Sequence, residues 1–171
     1  DVSIGTGRQN ITFGTQPPQS FSPNGTFALN PLASASSGLP VTYSTNTETV
    51  CTVSGATVTV LAAGTCTIAA DQAGDANYAA AAPVTQSIVI GKATQSISGF
   101  AANPSTPVYV PNGTFTVAAS GGASGNPVVF ATASDTVCSV HGTTVTMLAA
   151  GICAITAHQA GAADYEAAAE V

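Results

Sequence analysis

The sequence predicts an all-β protein built from two tandem β-sandwich domains. Three observations carry that expectation. The chain is written twice. Its apolar residues fall in short alternating runs separated by Gly, Asn and Pro. It holds almost none of the charged, helix-favouring residues that a surface helix needs on its wet face.

The duplication sets the domain count. Residues 48–78 return at 135–165: Cys51 recurs as Cys138, Cys66 as Cys153 and Tyr78 as Tyr165, each 87 positions on. Asn24-Gly25-Thr26-Phe27 recurs as Asn112-Gly113-Thr114-Phe115 at an offset of 88, and Gln9 recurs as Gln95 at 86. A period of this length marks two copies of one domain. The expected division places the first repeat at 9–91, a linker at 92–94 and the second repeat at 95–171. Residues 1–8 then read as the end of a preceding repeat. So short a linker leaves little freedom between neighbours.

The strands follow in order. Val41-Thr42-Tyr43 comes after Gly38-Leu39-Pro40, and Val128-Val129-Phe130 after Gly125-Asn126-Pro127. Thr57-Val58-Thr59-Val60 alternates strictly, and Thr143–Met147 does so with one slip. Cys66, Ile68 and Ala70 share one strand face, repeated by Cys153, Ile155 and Ala157. Ser54-Gly55 and His141-Gly142 read as tight hairpin turns with Gly at positive φ, and Asn24-Gly25 and Asn112-Gly113 read the same way. Tyr78–Ala82 and Tyr165–Ala169 read as compact connections before a last strand at Thr85–Ile90. Short strands spaced by such turns indicate a sandwich.

Composition narrows function by exclusion. Charged residues make up 6% of the 171, against roughly 25% in an average protein. Arg8 and Lys92 are the only basic residues, and the net charge is −6. No basic surface exists to hold a phosphate backbone or an anionic membrane, so nucleic acid is not an expected partner. No apolar run approaches the ~18 residues that a membrane helix requires.

Four cysteines allow three pairings. The repeat favours Cys51 with Cys66 and Cys138 with Cys153, because each copy carries its own pair 15 residues apart. Disulfides in small β domains point to an oxidising compartment.

The runs Gly38–Tyr43, Thr49–Gly55, Leu61–Ile68 and Gln72–Tyr78, with their second-copy counterparts, resemble the bacterial immunoglobulin-like repeats found in tandem in very large surface and secreted proteins. The resemblance spans both copies. It implies an all-β chain of two tandem Ig-like β-sandwich domains and a location outside the cell or on the bacterial cell surface. It supplies no catalytic residues.

Other constellations read as structural. His141 stands where the first copy has Ser54 and His158 where it has Asp71, so neither belongs to a repeated dyad, and no enzyme is expected. Asp71, Asp75 and Asn77 offer closely spaced oxygens, but the second copy has His158, Ala162 and Asp164 there. Turn chemistry accounts for the loop better than calcium, and no metal or cofactor is expected. Lys92 reads as a solvated linker charge rather than a cross-linking group. Asn10, Asn24 and Asn112 each open an Asn-x-Thr sequon, and the latter two double as turn signals. Tyr78 and Tyr165 read as plugs whose hydroxyls bond loop backbone.

The ends complete the reading. The second copy runs to Val171, the counterpart of Val84, without a counterpart of Ser87-Ile88-Val89-Ile90. Val2-Ser3-Ile4-Gly5 aligns with Ile88–Gly91 at an offset of 86. Val2, Ser3 and Ile4 are therefore expected to act as an inter-repeat or inter-subunit strand equivalent to Ser87–Ile90, either in a longer array or between copies joined head to tail. The expected function is a structural stalk, spacer or self-assembling fibre, with neighbouring repeats or further copies as partners. The alternative is an adhesin module for carbohydrate or a host receptor. A glycan or host receptor is otherwise left as a partner for another part of the full protein.

Overall fold

A computed structural model describes residues 1–171. The chain is all-β: fifteen strands and no helix. It divides into two compact units, Asp1–Ala93 and Thr94–Val171.

The first unit holds nine strands. They are β1 (Ile11–Thr12), β2 (Gln19–Ser20), β3 (Thr26–Ala28), β4 (Ser34–Ala35), β5 (Thr42–Thr45), β6 (Cys51–Ser54), β7 (Thr57–Val60), β8 (Gly64–Asp71) and β9 (Val84–Gly91). One sheet runs β2-β9-β8-β5, the other β3-β7-β6, and β1 pairs with β4 at the side. The alternation seen in sequence becomes burial. Cys66, Ile68 and Ala70 of β8 are fully buried, as are Val58 of β7 and Ile88 of β9. Burying each Ile or Val stabilises by about 1.5–3 kcal/mol. The Cys51–Cys66 disulfide ties β6 in one sheet to β8 in the other, with the Cα atoms 5.7 Å apart.

The second unit holds six strands. They are β10 (Ser98–Asn103), β11 (Thr114–Ser120), β12 (Val128–Thr132), β13 (Cys138–His141), β14 (Thr144–Met147) and β15 (Ile155–Gln159). One sheet runs β10-β11-β14-β13, and the other contains only β12-β15. Phe115, Val117, Cys138 and Val145 form its core, with Phe100 stacked on Phe130 at a ring distance of 5.9 Å. Cys138 is bonded to Cys153, again with a Cα separation of 5.7 Å.

Two turn expectations shift. The hairpin turns fall one residue later than read, at Gly55-Ala56 and Gly142-Thr143, because Ser54 pairs with Thr57 and His141 with Thr144. Gly55 and Gly142 do take positive φ, at 57° and 61°. At the Asn-Gly pairs the left-handed residue is the Asn instead: Asn24 at 55° and Asn112 at 57°. The preceding Pro23 and Pro111 preset the first turn position, and the Gly25 and Gly113 N–H groups close onto the Ser22 and Val110 carbonyls at 2.8 Å. That is a type II turn, in which Asn tolerates the second position.

Candidate functional site

The two units differ most at one place. In the first, β9 lies between β8 and β2. It pairs antiparallel with β8 from Val84↔Ala70 to Ile90↔Gly64, and parallel with β2 at Gln19↔Ile90 and Ser20↔Gly91. Ile88 and Ile90 point inward and are 0% and 2% exposed, so this strand closes the sandwich. Ser87 and Val89 face outward from the same strand, as alternation requires. All four residues Ser87–Ile90 thus lie within the first unit's own sheet.

In the second unit the described residues reach only the first pair of this ladder. Val171 takes the place of Val84: its C=O accepts from the Ala157 N–H at 2.7 Å, and its N–H donates to the Ala157 C=O at 3.2 Å. Beyond that point nothing within the unit pairs with this edge of β15. Antiparallel strands present alternate residues to each neighbour. The backbone groups of Ile155 and Cys153, two and four residues before Ala157, therefore face the same open edge. β8 is eight residues long and β15 is five.

The second unit carries an open groove of about 610 Å³. Phe100, Phe115, Val117, Met147, Cys153 and Ile155 line it. Ile155 and Cys153 are only partly buried, whereas their counterparts Ile68 and Cys66 are sealed. The opposite lip shows the same loss. In the first unit the Phe21 N–H donates to the Gly91 C=O at 2.7 Å, and Phe21 is buried. The corresponding residue is Tyr109, which is 42% exposed between Val108 and Val110 at 80% and 55%.

Val2, Ser3 and Ile4 form no strand and are solvent-exposed. The segment is anchored only from Gly7, whose N–H donates to Asn77 C=O at 2.7 Å and whose C=O accepts from Ala79 N–H at 2.9 Å.

The remaining sequence candidates take structural places. The Asp75 carboxylate accepts from the Asn77 and Tyr78 N–H groups, both at 2.8 Å, which closes the loop as an Asx turn. Asp71 accepts from the Ser44 hydroxyl at 3.3 Å. His141 lies at the end of β13, and exposed His158 of β15 contacts Thr156 Oγ1 at 2.9 Å and Glu170 at 3.4 Å. Tyr78 departs from expectation. Its ring lies over Gly7 and its carbonyl accepts from Asp75 N–H, so packing and backbone hold it rather than its hydroxyl.

Sequence reasoning missed the buried glutamines. Gln16, Gln72 and Gln159 are the buried polar side chains. Gln159 accepts from Gly122 N–H at 2.7 Å and donates to Asn126 C=O at 2.7 Å, which ties the loop between β11 and β12 to β15. Gln16 accepts from Asn30 N–H at 2.8 Å and donates to Pro31 C=O at 2.9 Å. The recurrence of Gln72 as Gln159 was the available signal.

No protein family matches the sequence, and no curated protein matches it. Among solved structures, the C-terminal 282-residue fragment of intimin, in complex with the intimin-binding domain of the translocated intimin receptor, aligns at 17% identity and a TM-score of 0.27. The alignment covers 77% of this chain and 50% of that one, so the chain spans about half the length of the intimin fragment.

Proposed function

We propose that this chain is a structural segment of a bacterial surface protein, a pair of Ig-like repeats that spaces or links other parts outside the cell. The observation that carries the reading is the repeated staple. Each unit carries a disulfide across a 15-residue separation, from β6 to β8 in the first and from β13 to the segment leading into β15 in the second. A covalent tie at the same place in both copies suits small domains working in an oxidising, mechanically exposed setting. The charge-poor surface fits a spacer, since it recruits neither polyanions nor polycations. The work is mechanical rather than catalytic. Non-reducing peptide mapping of the protein isolated from its native source tests this. Linked Cys51–Cys66 and Cys138–Cys153 peptides, with the chain accessible to protease on intact cells, are expected. Free thiols in an intracellular fraction would sink the proposal.

A further inference from the structure

In the first unit the chain enters beside the approach to β9 and leaves from that strand's far end. Gly7 forms a parallel bridge with Tyr78, shortly before β9 begins at Val84. β9 is eight residues long, about 25 Å at the rise of an extended strand, and Gly91 at its end leads directly to Lys92. Residues 7–20 run alongside in the same direction. Gly7 lies against Asn77 and Ala79, Phe13 against Gln86, and Gln19 and Ser20 pair with Ile90 and Gly91. We propose that this parallel arrangement is a force-bearing clamp: tension carried between Gly7 and Gly91 loads residues 7–20 and β9 in shear, and Gln86 couples their middles. It rests on the spacer reading above and names the contacts through which the unit carries load.

The direction of the bonds decides the outcome. Ladder hydrogen bonds lie across the strands. Parallel neighbours pulled from opposite ends strain those bonds sideways, so they share the load and fail together. Antiparallel neighbours pulled from one end strain them along their length, so they open one at a time.

The clamp is bonded at both ends and in the middle. At the entry the Gly7 N–H donates to the Asn77 C=O at 2.7 Å, and the Gly7 C=O accepts from the Ala79 N–H at 2.9 Å. The Gln9 side-chain amide donates to the Ala79 C=O at 2.7 Å. In the middle the Gln86 side-chain amide reaches from β9 to the Phe13 C=O at 2.7 Å. At the exit the Phe21 N–H donates to the Gly91 C=O at 2.7 Å, beside the β2–β9 pairing. Phe13, Phe21, Ile88 and Ile90 are all buried, so sliding also brings apolar surface into water. The Cys51–Cys66 bond lies behind the clamp in sequence, between Ser20 and β9. Once the clamp fails, that bond holds back the chain it encloses.

Force spectroscopy on the 171-residue chain tests this, with handles coupled site-specifically at two positions. Positions 5 and 92 load the clamp in shear. Positions 61 and 92 load β8 and β9 from the end where Gly64 faces Ile90, which peels them apart. A Cβ at Gly5 meets nothing within 4 Å, Lys92 is exposed and Leu61 is 41% exposed, so the handles spare the core. At one loading rate, opening between 5 and 92 should need several-fold more force than opening between 61 and 92. In dithiothreitol the first event should be followed by a further lengthening of about 45–50 Å, as the loop across the 15-residue separation is released. That step identifies the event as the opening of the first unit. Gln86→Leu removes the bond to the Phe13 C=O. It should lower the 5–92 force and leave the 61–92 force unchanged, because peeling starts at Ile90 and forced opening reads the barrier on the path taken. A merely destabilising substitution lowers both. Equal forces in the two geometries overturn the proposal, as does a Gln86→Leu chain whose two forces fall alike or do not change. Free thiols in an intracellular fraction would sink the surface reading and leave this comparison of forces standing.

Discussion

Replacing Cys51 and Cys66 together by Ala should destabilise the first unit by about 3 kcal/mol through chain entropy alone. Closing a loop of 15 residues removes about 10 cal/mol/K from the unfolded ensemble, which is ~3 kcal/mol at 25 °C. The same loop length in the second unit gives Cys138→Ala with Cys153→Ala the same contribution. Burial separates the two pairs. Cys51 and Cys66 are both 0% exposed, so removing their sulfurs opens a void that the neighbours fill only in part. Cys153 lines a groove open to solvent, so water enters there and the added loss is smaller. For domains of this size each kcal/mol lowers Tm by about 4–8 °C, so the first-unit transition should fall by roughly 12–24 °C. Calorimetry on the full chain, with each pair replaced separately, resolves which transition moves. A fall of less than about 5 °C in both variants would refute the loop-entropy reasoning. The exposure difference gives a second readout. Under native conditions, alkylation after mild reduction should label Cys153 before Cys51 and Cys66, since Cys138 is itself 1% exposed. Equal rates, or the reverse order, would contradict the open groove.

Three further outcomes follow from single residues or from composition. Gly74 and Gly38 share a φ of +79°, but a Cβ at Gly74 would lie 2.3 Å from the Tyr78 carbonyl oxygen, whereas Gly38 faces open space. Gly38→Ala should therefore cost about 1 kcal/mol from backbone strain, and Gly74→Ala roughly twice that or more, as read by denaturant unfolding. Gln159→Ala strips the Gly122 N–H and Asn126 C=O of their side-chain partner. It should lower stability by about 1–3 kcal/mol and speed amide exchange at Gly122, and an unchanged exchange rate would show that water replaces the amide. Because only 6% of residues are charged, Tm should be nearly flat between low and high NaCl, and a marked salt dependence measured by circular dichroism would expose an ionic network that this surface does not display.

The repeat, the strand faces and the hairpin glycines were legible because each rests on local periodicity. Cys66, Ile68 and Ala70 alternate in sequence, and alternation alone sends them to one side of a strand. The Asn24 turn was misassigned because Gly is the commoner carrier of positive φ. The deciding neighbour is Pro23, which presets the first turn position and passes the left-handed conformation to the residue after it. Of the buried glutamines, Gln72 and Gln159 were legible only through their recurrence. Nothing local distinguishes Gln72 from an exposed Gln, and its burial depends on acceptors and donors brought in from Gln9 and Pro40. The groove lies between these cases. The described residues of the second copy reach Val171, short of the positions that would correspond to Ile88 and Ile90. Alignment alone does not say whether the sheets then collapse onto each other or stay apart. Here a groove of about 610 Å³ remains beside Ile155. The Cys138–Cys153 bond and the Phe100–Phe130 stack are the contacts that tie the second unit together beside this groove. A collapsed core would have sealed Ile155 as Ile68 is sealed. Ile155 is instead only partly buried, so equal sequence positions in the two copies reach different burial through the neighbours each is given.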